Sequence, residues 1–340
     1  MQNVSAKNLL NFCVQVLKSV QVCAKDAEIT ASALVGADLR GVDSHGCILL
    51  PLYVSRIQKR EINHMAKPRL IKLHGSVALI DGDNGLGHPT ATRAMKVALK
   101  NASLFGSAWV GVRGSHHFGM AAHYAMQALE QDMIGIVLTI SNINTMAPWK
   151  GRDILVGNNP IAFAIPAGNE FPIVFDTAFS VAARRKIHDA KSEGKNIPEG
   201  WALDSEGNPT TDPQKALDGL LIPIGGYKGF GFAFVVSMLA GALTGAAFGA
   251  SVSNQNIGHL IGAIDIKPFQ DISVFKSQVD LAIREVHESR SFGGKLLVPG
   301  ERGFTCAEER KRNGIPLSNK TVIALNALSQ EFGIQQIGPA

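Results

Sequence analysis

Cysteine, tryptophan and tyrosine are scarce in this sequence of 340 residues, which contains four, three and three of them. The cysteines (Cys13, Cys23, Cys47, Cys306) form no C-x-x-C pair. This usage argues against a disulfide framework and favours a reducing compartment. Residues 1–12 also lack the charged region and apolar core of a signal peptide. We therefore expect a cytoplasmic protein.

Charged residues are few as well, at 18% of the chain. The net charge is +5, but Lys and Arg form no long run, so we expect no nucleic-acid partner. Residues 231–250 contain no charge and repeat glycine at the G-x-x-x-G spacing of some membrane helices. Because no other stretch of this kind occurs, we expect a buried helix there and no membrane contact.

Apolar residues make up 46% of the chain, which is typical of globular proteins. The length exceeds what one core usually serves, so about two domains are expected. The first 60 residues show helical periodicity, with Ser5 and Asp26 as expected caps of the first two helices. From residue 68 onward, short β-like runs alternate with helical segments, and one hairpin is expected around Gly168 and Asn169. The pattern predicts a helical part joined to a central mixed α/β sheet.

A Rossmann fingerprint is absent. The third glycine of G-x-G-x-x-G is replaced by Thr90 in GDNGLGHPTA and by Phe234 in GGYKGFGFAF. The second segment nevertheless has the properties of a phosphate site, since several glycines surround Lys228 and a helix is expected just beyond Gly231. A dinucleotide would therefore bind outside the usual βαβ unit.

Two polar turns contain histidine, RGVDSHG at 40–46 and RGSHHFG at 113–119. His116 and His117 are adjacent, so on an extended chain at most one of them faces a given cavity. The histidines show neither H-x-x-x-H nor H-E-x-x-H spacing, so we expect no metal, and a metal-dependent hydrolase is the weaker alternative. Cys47 follows the first turn, where we expect a small buried side chain rather than a nucleophile.

Uncharged hydrogen-bonding groups follow a predicted strand in the segment SNINTMAPWKG, among them Thr145. Asp176 lies at the end of another β-like run, in FDTAFS. Functional groups collect at strand ends in α/β proteins, although ordinary turn chemistry also explains such residues.

Taken in order, several motifs resemble the malate/L-lactate dehydrogenase family of the second type. They are RGVDSHG, GSHHFG, APWKG, GNNPIAFAIPAG, FDTA, WALDSEGNPTTDP, GGYKGFGFA, LTGAAFG, GHLIGAIDIKPF and VPGER. The resemblance runs over about residues 5–310. That family includes sulfolactate, ureidoglycolate and diketogulonate dehydrogenases and the piperideine- and pyrroline-carboxylate reductases.

The resemblance implies an α/β fold whose cofactor domain is not of Rossmann type. Its mixed, mostly antiparallel sheet is flanked by helices and would occupy 75–285. A smaller helical domain for substrate and dimer contacts would combine 1–74 with 286–340. The resemblance further implies NAD or NADP as cofactor, a small 2-oxo or 2-hydroxy acid as substrate, and a homodimer.

Site residues are implied by the same resemblance. His45 matches a proton donor to the substrate carbonyl, and His117 and Asp176 match further catalytic positions. The expected substrate contacts are Ser44, Tyr53 and Thr145. The expected cofactor contacts are Asp176, Thr177, Ala178, Lys228, Gly229, Pro299, Gly300 and Glu301.

One position departs from the family pattern. Members often have arginine four residues after the first-turn histidine, a suitable partner for a carboxylate, and this chain has Leu49. Arg56 and Arg40 are the candidates to replace it. We expect interconversion of a 2-oxo and a 2-hydroxy acid, with hydride from nicotinamide and a proton from His45. The alternatives are reduction of a cyclic 2-imino acid, or a family member that binds ligands without catalysis.

Overall fold

The computed structural model describes residues 2–338, so Met1, Pro339 and Ala340 of the expected helical domain lie outside the described residues. The helices are α1 (Ala6–Ser19), α2 (Ala24–Leu39), α3 (Leu50–Gln58), α4 (Gly87–Phe105), α5 (Ala122–Ala125), α6 (Arg184–Ser192), α7 (Pro213–Asp218), α8 (Tyr227–Val236), α9 (Ile272–Glu288), α10 (Glu301–Asn313) and α11 (Asn319–Phe332). The strands are β1 (Gln2–Val4), β2 (Arg69–His74), β3 (Val77–Asp81), β4 (Ser107–Ser115), β5 (Met133–Thr139), β6 (Ile161–Ile165), β7 (Ile173–Thr177), β8 (Ala202–Leu203), β9 (Pro209–Thr210), β10 (Leu220–Leu221), β11 (Ile257–Asp265) and β12 (Ile315–Leu317).

A seven-stranded sheet forms the centre of the molecule, in the order β2-β3-β4-β11-β5-β6-β7. Only the β3–β4 pair is parallel, and the other five neighbours in this sheet are antiparallel. Helix α4 packs against β4 and β11, where its alanines and Met95 join the inward-facing side chains of the strands in one core. The predicted mixed, mostly antiparallel and non-Rossmann fold is confirmed. The hairpin expected around Gly168 and Asn169 is also present, as β6 and β7.

A second core joins the two ends of the chain. Strand β1 pairs with β12, and helices α1, α2, α3 and α11 bury their apolar faces together. Ser5 caps α1 as predicted, since its Oγ accepts the Asn8 N–H at 3.2 Å. The predicted cap at Asp26 is wrong, because α2 begins at Ala24 and Cys23 is its N-cap residue. The domain boundaries themselves remain a prediction.

The helix expected at 231–250 differs from the prediction in extent and in burial. Helix α8 begins at Tyr227, because Gly229 lacks the Cβ that would lie 2.2 Å from the Ile224 carbonyl oxygen. After Val236 the chain passes through a π-turn (Ser237–Gly241) and a 3-10 turn (Ala242–Thr244). Within the described residues, Tyr227–Thr244 is the one helical stretch long and apolar enough to cross a membrane, and 39% of it is buried. Less than half of this stretch is buried, so the prediction of a buried helix is wrong.

Candidate active site

The turn RGVDSHG is packed onto a buried carboxyl group. Asp38, in the last turn of α2, accepts the Cys47 N–H with Oδ2 at 2.8 Å. A Cβ on Gly46 would lie 1.7 Å from Asp38 Oδ1, so this position needs glycine. Burial raises the pKa of Asp38 to about 6, although its hydrogen bond with Cys47 opposes the shift. Cys47 itself is buried, as expected.

The same turn is held from the opposite side by α10. Arg310 Nη1 donates to Asp43 Oδ1 at 2.5 Å and also to the Asp38 carbonyl oxygen. Asp43 is the first residue of a short 3-10 helix, Asp43–His45, which contains the histidine. Contacts from both ends of the chain thus fix the orientation of His45.

Four of the predicted residues lie together. Ser44 Oγ is 2.9 Å from His45 Nδ1, and the Tyr53 hydroxyl is 2.7 Å from His117 Nδ1. The rings of His45 and His117 are stacked, with centroids 5.7 Å apart. His116 faces elsewhere, as expected for an adjacent pair, and its Nε2 lies 2.9 Å from Asn84 Oδ1.

Both clustered imidazoles are neutral at neutral pH. Burial lowers the pKa of His45 to about 4. Burial also lowers the pKa of His117 well below its usual value, and the charges that His45 and His88 would carry add to the shift. Both imidazoles hydrogen-bond within residues 2–338 through Nδ1 only, and both residues are half-buried, so each Nε2 is free to meet a ligand. Neutral imidazoles in this arrangement suit proton transfer to or from a reacting oxygen.

A carboxylate lies at the end of the edge strand β7. Asp176 Oδ2 accepts the Ala122 N–H at 2.8 Å. The residue keeps solvent access, while the protein around its carboxyl group raises the pKa to about 6, against the opposing charge of Arg40. Thr177 and Ala178 follow, half-buried, and lead to Phe179, whose carbonyl oxygen accepts the Ile224 N–H at 2.9 Å. The strand end is thereby joined to the glycine-rich loop.

That loop ends at the start of α8. Gly226 is the N-cap residue with φ 64°, and no side chain caps the helix. Lys228 is exposed in the first turn, and Gly229 is buried against Ile224. Uncapped N–H groups and an ammonium group together suit a phosphate. This donor set fits the pyrophosphate of a dinucleotide.

The segment Pro299–Glu301 lies beside β7. The Pro299 carbonyl oxygen accepts the Val174 N–H at 2.9 Å, and the Gly300 carbonyl oxygen lies 3.4 Å from Arg40 Nη2. The Glu301 carboxylate is buried and paired with His287 at 2.8 Å and Lys295 at 2.9 Å. Although burial raises its pKa, hydrogen bonds from Lys295 and His287 hold the pKa of Glu301 below its usual value. Its carboxylate therefore holds this segment in place.

A cavity of about 450 Å³ adjoins that segment and is lined partly by His287, Lys295 and Glu301. Neither His45 nor His117 lines it. Thr145, predicted to contact substrate, is buried, and its backbone bonds to Val156 and Leu221. Thr145 therefore makes no hydrogen bond to His45 or His117 within residues 2–338, and its contact with substrate stays a prediction.

The sequence did not reveal the role of several buried groups around the cluster. His88 lies edge-on to Tyr53, with ring centroids 5.1 Å apart. It is fully buried, neither ring nitrogen has a partner within residues 2–338, and burial lowers its pKa to about 3. In the sequence, the segment GDNGLGHPTA drew attention only as a possible dinucleotide fingerprint, and nothing else in it pointed to His88. The roles of buried Asp38 and of Asn254, an exposed loop residue, were missed as well, because neither lies in a recognisable motif.

No group of three or more His, Cys, Asp or Glu side chains in the described part of the chain is arranged to hold a metal ion. The imidazole cluster, set in a mostly antiparallel α/β fold, is suited to proton transfer to or from a reacting oxygen. The sequence matches the malate/L-lactate dehydrogenase family over residues 4–326. The chain belongs to this family.

The similarity extends over nearly the whole chain. The malate/(S)-sulfolactate dehydrogenase of Methanothermus fervidus is 37% identical over 339 residues, with 98% of each protein covered. An NADP(+)-dependent (2R)-3-sulfolactate dehydrogenase of Chromohalobacter salexigens is 37% identical, covering 90% of this chain and 92% of that protein. The NAD(+)-dependent ureidoglycolate dehydrogenase of Escherichia coli K12 is 34% identical, covering 77% of this chain and 76% of that protein.

Solved structures of dehydrogenases and of a related reductase have the same fold as this chain. The sulfolactate dehydrogenase of Methanocaldococcus jannaschii has a TM-score of 0.91 at 36% identity and covers 98% of each chain. The delta1-piperideine-2-carboxylate reductase of Pseudomonas syringae has a TM-score of 0.86 at 27% identity, covering 96% of this chain and all of that one. The site described above therefore lies in a fold shared with dehydrogenases and with an imine reductase.

Proposed function

We propose that this chain is an NAD- or NADP-dependent oxidoreductase that interconverts a small 2-oxo acid and the corresponding 2-hydroxy acid. The observation that carries the proposal is the pair of stacked imidazoles, His45 and His117, with both Nε2 atoms free. Relatives named malate, sulfolactate and ureidoglycolate dehydrogenases support the substrate class, since those names denote 2-hydroxy acids.

The cofactor supplies or accepts the hydride when it is bound. Lys228 and the uncapped start of α8 would hold its phosphates, and Gly229 permits the close packing of that turn. Asp176, Thr177 and Ala178 would meet the cofactor at the end of β7. Pro299 and Gly300 would contact it from the neighbouring segment, which Glu301 anchors.

The protein's own part in the reaction is to move a proton. Hydride addition to the carbonyl carbon leaves negative charge on the oxygen, and protonated His45 donates a proton to that oxygen. In the reverse direction, neutral His45 accepts the hydroxyl proton while hydride leaves the carbon. His117 donates an Nε2–H hydrogen bond to the same oxygen, stabilising the charge that develops there. Asp176, which also accepts the Ala122 N–H, would hold the end of β7 in position beside the cofactor.

A second candidate is the reduction of a cyclic 2-imino acid. The structural match to delta1-piperideine-2-carboxylate reductase favours it. An imine carbon accepts hydride as a carbonyl carbon does, and its nitrogen takes the proton in place of the oxygen. The same His45 would serve both substrates.

We also propose a homodimer in a reducing, cytoplasmic compartment. All four cysteines are free, which is compatible with that compartment. Helix α8 and the turns after it expose apolar side chains that a monomer rarely leaves in water. They include Tyr227, Phe232, Phe234, Val235 and Leu243.

The test is a panel of 2-oxo acids and cyclic 2-imino acids, assayed with NADH and with NADPH by the loss of reduced-nicotinamide absorbance. We expect turnover of at least one 2-oxo acid, and a fall of about 100-fold or more in kcat for His45→Ala. His74→Ala, which changes an exposed histidine of β2, is the control. Turnover of imines alone selects the second candidate. Cofactor binding without any turnover would instead indicate a ligand-binding member that has lost catalysis.

A further inference from the structure

The geometry points to Arg56 as the residue that binds the substrate carboxylate, an inference that rests on the proposed function. A 2-oxo acid carries a carboxylate next to its reacting carbon, so its binding site needs a cation close to the imidazole cluster. Leu49, four residues after His45, is apolar and packs toward the helical core. The cation must therefore come from elsewhere.

Arg56 has an unused donor in a buried place. The residue is 8% exposed, and Nη2 donates to Asn254 Oδ1 at 2.7 Å. Its Nη1 is buried and has no acceptor within residues 2–338. Glu61 Oε2 forms an ion pair with Nε at 3.9 Å, which is beyond hydrogen-bond length and does not supply Nη1 with an acceptor. Because an unpaired buried donor costs free energy, this N–H favours binding an acceptor.

Arg56 also lies on the correct side of α3. It follows Tyr53 by three residues, a spacing that places both side chains on one helix face. Tyr53 contacts His117, and the charge of Arg56 contributes, after burial and the neighbouring histidines, to the lowered pKa of His117. Its guanidinium thus acts electrostatically on His117, one of the two clustered imidazoles.

Asn254 holds the guanidinium in place. Its Oδ1 accepts from Arg56 at 2.7 Å and from Asn142 Nδ2 at 2.8 Å. Asn142 follows β5, so two loops far apart in sequence fix the side chain. With Nη2 engaged in this way, Nη1 binds one carboxylate oxygen through a charge-assisted hydrogen bond.

The other arginine suggested by the sequence is committed elsewhere. The Arg40 guanidinium lies 4.2 Å from the centroid of the Phe304 ring, with Nη2 3.4 Å from the Gly300 carbonyl oxygen. Arg40 also interacts with the charge of Asp176. These contacts place Arg40 with the proposed cofactor segment rather than with the substrate carboxylate.

The experiment compares a 2-oxo acid that the enzyme reduces with its neutral amide. For Arg56→Gln we expect the acid-to-amide ratio of kcat/KM to fall by about tenfold or more, mainly through KM of the acid. Arg56→Lys should retain part of the preference, because it keeps the charge but loses the planar fork. Lys59→Gln, an exposed cation one residue past the same helix, is the matched control and should leave the ratio unchanged. Cofactor affinity should not change in any of these variants.

A second variant covers the case in which Arg56→Gln does not fold. Asn254→Asp places a competing carboxylate against the guanidinium and should raise KM for the acid while sparing the amide. An unchanged acid-to-amide ratio in a folded Arg56→Gln or Asn254→Asp protein overturns the inference, even though the wild-type enzyme still reduces the acid. A wild-type protein that reduces no 2-oxo acid overturns the proposed function, and this inference with it.

Discussion

The Tyr53 hydroxyl and His117 Nδ1 lie 2.7 Å apart, and the same nitrogen faces the Gly119 N–H at 3.4 Å. A backbone N–H can only donate, so Nδ1 is the acceptor and neutral His117 carries its proton on Nε2. Burial raises the pKa of Tyr53 and keeps its hydroxyl protonated as the second donor. The pair therefore fixes the tautomer that directs an N–H toward the substrate oxygen.

Tyr53→Phe should lower kcat by about tenfold with little change in KM, because the weak Gly119 contact alone does not fix the tautomer. The ring is fully buried and phenylalanine fills the same space, so the fold should be retained. Steady-state kinetics check this, with His74→Ala, at an exposed histidine of β2, as control. A kcat equal to that of the wild type would show that the hydroxyl does not orient His117.

The pH dependence should differ between the two directions. Since the pKa of His45 is lowered to about 4, the free enzyme holds it as a base at neutral pH. The kcat/KM for oxidation should be level between about pH 6 and 8, while kcat/KM for reduction falls as pH rises. Because the pKa of Asp176 is raised to about 6, its titration also falls near this range, so the profiles are compared with those of Asp176→Asn, which removes that group and should keep the same two slopes above pH 6. An oxidation profile that still rises through neutral pH would contradict this assignment.

Gly46→Ala should reduce both stability and kcat. The added Cβ would meet the Asp38 carboxyl group at 1.7 Å, so the turn that carries His45 must shift. We expect a loss of about 1–3 kcal/mol in the free energy of unfolding, together with a lower kcat. Denaturant unfolding and kinetics measure the two effects. Gly36→Ala, in α2, is the control, since its Cβ would make an ordinary contact at 3.5 Å. Equal effects of the two substitutions would show that Asp38 does not seat the turn.

Much of the fold was predictable because hydrophobic periodicity is local. The strands of the central sheet follow from their β-like runs, and Ser44, His45, Tyr53 and His117 follow from motifs in order. The start of α8 was not predictable, because it depends on Gly229 packing against Ile224. Nor was the role of Arg56, whose partner Asn254 lies 198 residues away in the sequence. Contacts of this kind arise only when the chain folds.

His88 should make the protein less stable in acid. Its pKa is lowered to about 3 in the folded protein, against the usual value of 6.5, so the unfolded chain binds a proton first as pH falls. The resulting loss between about pH 7 and 5 is about 2 kcal/mol. The raised pKa of Asp38 changes stability in the opposite sense, and it does so equally in the wild type and in the variant His88→Gln.

Unfolding free energies at the two pH values measure this effect. His88→Gln should lose about 2 kcal/mol less than the wild type over that range, whatever its stability at neutral pH. The exposed His74→Gln should behave as the wild type does. Parallel losses in the wild type and in His88→Gln would mean that His88 is not held neutral.

Isotope transfer tests the central claim most directly. The wild-type enzyme is supplied with a 2-oxo acid and with reduced cofactor deuterated at the transferred position, and the product is examined by nuclear magnetic resonance. Deuterium should appear at the former carbonyl carbon of the 2-hydroxy acid, and His45→Ala should slow its appearance by about 100-fold while still binding cofactor. A product without deuterium from the cofactor, or an undiminished rate in His45→Ala, would contradict a hydride transfer completed by proton donation from His45.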